Sequence, residues 1–172
     1  MNISKSAITY ANSLIEADNN YEQILKDLQA VSETVQESKD FAEIISNPTI
    51  AIQTKNEIID EIFKNKINNK VINFIKILAD KKRFDELNAV IKAYINKVDE
   101  INNIKRVEVI SAVELSPNQK EKTIEKLQTK LQKSVLVNWT QNKDIIGGLV
   151  IKIDDDVIDN SLKNKLEKLS KI

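Results

Sequence analysis

For its first 103 residues the chain contains no glycine and a single proline, while its apolar residues recur at the three- and four-residue spacing of a helix face. A chain with so few residues suited to tight reversal commits long stretches to helix and leaves only short polar breaks between them. The pattern predicts helices at roughly 4–17, 20–38, 39–46, 50–64, 69–82 and 84–102, with Asn47-Pro48 as the sharpest interruption. The first part, residues 1–103, therefore reads as a six-helix bundle.

After Ile104 the period changes to two. Val107, Val109, Ser111 and Val113 alternate with Glu108, Ile110, Ala112 and Glu114, as in a half-buried strand. Ser116-Pro117-Asn118-Gln119 carries the signature of a helix start: Ser at the N-cap, Pro at the first helical position and Gln where a capping box needs it. Val135 to Thr140 and Ile145 to Ile153 read as two strands joined into a hairpin by the polar turn Gln141 to Asp144. Asp159 is placed to cap a last helix, with Leu162, Leu166 and Leu169 on one face. The expected fold is mainly α with a small α+β part: the bundle, then a β-α-β-β-α module over residues 104–172. A module of that size is marginal alone and is expected to lean on its neighbour or on a partner.

Composition removes most chemistry. With no cysteine and no histidine, the chain has no thiolate or imidazole metal site, no Cys nucleophile, no Ser-His triad and no disulfide. Twenty-six basic and 26 acidic residues cancel, so the whole molecule has no field to attract nucleic acid or an anionic membrane. The charge is uneven, however. Residues 1–103 carry a net of minus three and residues 104–172 a net of plus three. No apolar run approaches the roughly 20 residues that span a bilayer, and the start lacks the features of a signal peptide, so a soluble protein made where it works is expected.

The two glycines of the chain are adjacent, in Ile145-Ile146-Gly147-Gly148-Leu149-Val150-Ile151-Lys152. Neither phosphate-loop spacing fits, and Asp154-Asp155-Asp156 lack the alternation and the closing Glu of a calcium loop. Gly147-Gly148 inside a strand would mark a bulge or the close approach of another backbone, and the aspartates a solvated turn before the last helix. No catalytic, cofactor or metal residue is assigned. A hydrolase built on Asp154 to Asp156 is disfavoured, because acids on one turn share an environment that does not separate their pKa values.

An ordered set of short motifs carries a family resemblance. Tyr10-Ala11, Asn47-Pro48 followed by Lys55, and Asn73-Phe74-Ile75 through Asp80 and Arg83 to Leu87 and Tyr94 lie in the first half. Val109-Ile110-Ser111-Ala112 with Leu115, the glycine segment, and Val157-Ile158-Asp159-Asn160-Ser161-Leu162 with Leu166 lie in the second. Together they resemble the delta subunit of F-type ATP synthases, called the oligomycin sensitivity conferral protein in mitochondria. The departures are Asn142-Lys143, Asp154 and Asn160, all at turns. The resemblance implies a non-catalytic stator subunit without cofactors. Its bundle would bind the N-terminal segments of the alpha subunits, and its second domain the C-terminal end of the b subunit. It also implies a peripheral place on the cytoplasmic face of the bacterial inner membrane, with thylakoid and mitochondrial inner membranes as alternatives, no nucleic-acid partner and no homo-oligomer.

Periodicity indicates where such a groove would lie. On the fifth helix Ile77 projects about 110° from the core stripe, beside Asn73. Along the flank of the first helix, Ser6, Tyr10, Ser13 and Ala17 form an uncharged strip, where a solvent-facing edge usually carries charge. Tyr10, Ser13, Asn73 and Ile77 match the alpha-binding groove of the family; the competing reading makes Tyr10 plain core and Ile77 an isolated surface apolar. For the stalk contact Leu162, Leu166 and Leu169, with the basic surface of the second domain, stand against a role in covering the sheet. Trp139 reads as a packing or interface residue, and Arg83 as a cation near a helix C-terminus. An RNA-binding antitermination-type helical protein is the rival reading of the first half, disfavoured by its acidity.

Overall fold

The computed structural model describes residues 3–145, 147–154 and 156–159. The chain divides into two compact units, Met1–Val98 and Asp99–Ile172. Six α-helices precede the sheet: α1 Lys5–Ala17, α2 Tyr21–Glu37, α3 Lys39–Ser46, α4 Ile52–Phe63, α5 Asn69–Asp80 and α6 Leu87–Ile101. A 3-10 turn, Phe84–Glu86, leads into α6, so the helix expected to start at residue 84 begins three residues later. A seventh helix, α7 Pro117–Leu131, belongs to the second unit.

Short polar side chains start α1, α2, α3, α5 and α7 by satisfying their first free N–H groups. Ser4 accepts from the Ala7 N–H at 3.2 Å, Asn20 from Gln23 at 3.3 Å and Asn68 from Lys70 at 2.9 Å. Ser38 serves two helices at once. Its N–H donates to the Thr34 carbonyl at 2.9 Å, closing α2, and its hydroxyl accepts from the Phe41 N–H at 3.2 Å, opening α3. The buried Asp27 adds a carboxylate to the start of α5, accepting from the Asn68 N–H at 2.8 Å while the Gln23 amide holds its other oxygen at 2.7 Å.

The first core gathers Ala7, Ala11 and Leu14 of α1, Ile24, Leu28 and Val31 of α2, and the apolar stripes of α3 to α6. Phe41 stands edge-on to Phe63 and Phe84, with ring centroids 5.8 and 6.2 Å apart, fastening α3 to α4 and to the 3-10 turn. Tyr94 is fully buried, and its hydroxyl has no hydrogen-bond partner among the described residues. Burial, then Tyr21 and Asp18, pushes that phenol up to about 12. Because the hydroxyl gains nothing for its desolvation, Tyr94→Phe is expected to leave stability unchanged or raise it by up to about 1–2 kcal/mol. Urea denaturation checks this; a loss of stability would reveal a missed partner for the hydroxyl.

Among the described residues the second unit is a four-stranded sheet with α7: β1 Ile104–Ser111, β2 Ser134–Gln141, β3 Leu149–Ile153 and β4 Asp156–Asp159, in the order β2-β1-β3-β4. β1 and β2 run parallel with α7 as the crossover, while β1–β3 and β3–β4 are antiparallel. The hairpin expected between β2 and β3 is therefore absent, because β1 lies between them. Val107 and Val109 are buried, and a strand of that kind sits in the middle of a sheet, bonded on both edges. Gly147 and Gly148 stand before β3 and not within it, at φ 65° and 86°, where side-chain-free residues turn the chain at least cost. The aspartates also read differently: Asp154, at φ 51°, turns the chain into β4, and Asp159 is the last residue of that strand. The helix expected after Asp159, with Leu162, Leu166 and Leu169, lies outside the described residues.

Candidate partner-docking site

α1 and α5 run antiparallel, as the bonds at both ends show. At one end the Lys70 ammonium donates to the Ala17 carbonyl and pairs with Asp18 at 3.0 Å. At the other, Glu86, just past α5, accepts from the Ser6 hydroxyl at 2.5 Å and from Ser4 at 3.3 Å. Buried alanines at 7 and 11 present little bulk on the inner face of α1. Between the ends Tyr10 lies half-buried, edge-on to the buried Phe74, with centroids 5.8 Å apart at 66°.

Ser13, Asn73 and Ile77 are exposed, and Ile77 keeps 48% of its surface. The antiparallel arrangement sets Asn73 near the level of Tyr10 and Ser13, and Ile77 near that of Ser6 and Tyr10. Tyr10 and Ser13 lie on α1 and Asn73 and Ile77 on α5, and the ring contact of Tyr10 with Phe74 joins the two helices between them. The Ser13 hydroxyl is satisfied within its own helix, donating to the Thr9 carbonyl at 3.1 Å. Ser13, Asn73 and Ile77 are uncharged and exposed on helices whose other faces are buried in the core. The C-terminal end of α1 carries charge. There the Asn20 backbone N–H and then Lys70 hold the Asp18 carboxyl below its ordinary range.

The other singled-out residues have plain surroundings. Trp139 is half-buried against the second core, with the Lys120 ammonium 5.8 Å from the ring centroid. Arg83 follows α5, closing it through its N–H to the Leu78 carbonyl at 2.9 Å, and its guanidinium lies 3.8 Å from Glu86. Asp154 pairs with Lys105. Periodicity missed Ile8, exposed on the other flank of α1, because a helix of that composition has two apolar edges and only one was followed.

Residues 7–172 match the family model of the ATP synthase delta (OSCP) subunit. The chain belongs to that family. ATP synthase subunit delta of Chlorobaculum tepidum is 34% identical over 163 residues, 93% of this chain and 90% of that one. The subunit delta of Clostridium botulinum strain Loch Maree is 32% identical over 161 residues, 91% and 88% of the two chains. The fold is shared, at a TM-score of 0.68 and 16% identity, with a chain of the Toxoplasma gondii mitochondrial ATP synthase hexamer, covering 98% of this chain and 97% of that one. As an ATP synthase delta subunit the chain is a non-catalytic, structural member of the complex. Among the described residues no helix is long and apolar enough to cross a membrane.

Proposed function

We propose that this delta subunit ties the top of the catalytic head to the peripheral stalk, so that the head resists rotary torque during proton-driven ATP synthesis. Its helical unit receives the N-terminal segment of an alpha subunit across Tyr10, Ser13, Asn73 and Ile77. The second unit meets the C-terminal end of the b subunit through its basic surface with Leu162, Leu166 and Leu169, and the subunit stays peripheral on the cytoplasmic face of a bacterial inner membrane. The observation that supports the first contact is the exposed Ile77 on α5, the helix whose Phe74 packs edge-on against Tyr10 of α1. Isolated apolar residues are common on surfaces, but one bordering an uncharged helix edge is an anchor position.

Ile77→Glu is expected to weaken binding of an alpha N-terminal peptide by about 30-fold, the equivalent of about 2 kcal/mol for a buried anchor. Titration calorimetry measures it, with an unchanged melting temperature showing that the exposed site tolerates the change. Equal affinity of variant and wild type would place the alpha segment elsewhere.

A further inference from the structure

The second unit carries an open groove of about 420 Å³ where the end of β1, the first half of α7 and the glycine pair meet. Its floor is apolar, from Val113, Leu115 and Leu149. Val113, 66% exposed, is the most exposed of the large apolar side chains among the described residues. Lys122 and Lys126, one turn apart on α7, form one side, and neither meets a carboxylate among the described residues. Gly148 lies on the lining as well and presents backbone without a side chain, so another main chain can approach closely there.

We propose that this groove docks an acidic amphipathic segment of another protein, one that sets apolar side chains on the Val113 floor and carboxylates against Lys122 and Lys126. The inference rests on the stator reading and assigns a place and a chemistry to its second contact. Charge selects the occupant. Segment 160–172 carries four lysines against one glutamate, the same sign as the two rim lysines, so its charge does not complement theirs. An open groove with an apolar floor and cationic edge matches an amphipathic segment flanked by acids.

The test uses the full chain and membranes holding ATP synthase stripped of this subunit. Lys122→Glu with Lys126→Glu is expected to lower affinity about tenfold, the loss steepening at low salt. Lys130→Glu with Lys133→Glu, in the last turn of α7 and two residues past its end, outside the groove, is expected to stay within about twofold. Val113→Glu, which alters only the floor, should weaken binding as the rim pair does. A synthetic peptide with leucines at helical spacing flanked by glutamates should compete, and its lysine-flanked copy should not. Wild-type affinity in the rim pair, equal losses in both pairs, or equal competition by both peptides would overturn the proposal. So would a dimer in sedimentation that the rim variant abolishes, since the occupant would then be a second copy. A wild-type chain that fails to bind removes the stator reading as well; one that binds beside an unaffected rim pair removes the groove alone.

Discussion

Phe41→Ala is expected to lower the unfolding free energy by about 3–5 kcal/mol, as a large buried aromatic leaves a cavity that its neighbours fill only in part. The site concentrates the loss. α3 spans Lys39–Ser46, far too short to hold as a helix in water, and the core holds it through Phe41 and Ile45. Phe41 also supplies both edge-to-face contacts, with Phe63 and Phe84. Urea denaturation followed by circular dichroism gives the change as a shift in midpoint. Phe41→Leu should recover most of it, because volume is nearly kept and only the ring geometry is lost. A loss below about 1 kcal/mol for the alanine variant would mean that α3 is held by something other than this aromatic cluster.

Lys55→Glu is expected to cost a similar about 3–5 kcal/mol, for an electrostatic reason. Lys55 is buried, and its ammonium donates to the Ile45 carbonyl at 2.6 Å, in the last turn of α3 where carbonyls have no partner within the helix. A cation there also meets the negative end of the helix dipole. Glutamate would set a buried carboxylate against that carbonyl and dipole. Lys55→Met, which removes the charge but keeps the length, should lose much less.

Burial first, and Lys82 second, hold the Lys55 ammonium below its ordinary value of 10.5. Since the native state releases this proton before the unfolded state does, stability contributed by this site rises with pH between the lowered value and 10.5. Lys55→Met should abolish that rise while leaving the acid limb of the stability profile unchanged. An identical alkaline profile in wild type and Lys55→Met would show that the ammonium is hydrated and not buried.

The helical half was legible because four of its six helices, α1, α2, α3 and α5, announce their own beginnings. Ser4, Asn20, Ser38, Asn68 and Ser116 are all short polar N-caps, and the Ser116–Gln119 capping box forms as read, with bonds of 3.4 and 2.9 Å. Helix ends were harder to place. Asn65, Lys82, Asn103 and Gln132 take the left-handed conformation at turns and caps where glycine is the usual marker. A 100° step per residue sets Ser13, Asn73 and Ile77 outside their core stripes, and all three are exposed, while Tyr10 is half-buried at the stripe's edge.

Local interactions within about four residues were written in the sequence: caps, periods, and the switch from helix to strand at Ile104. Pairing was not. The alternation in β1 says that one face is covered, but parallel pairing with β2 and antiparallel pairing with β3 come from contacts between residues tens of positions apart. The groove at Val113 depends on the same long-range closure, which brings Leu149 and the glycine pair beside α7. A one-dimensional pattern records which side of an element seeks cover; the competition among all such sides for a limited core decides what each one meets.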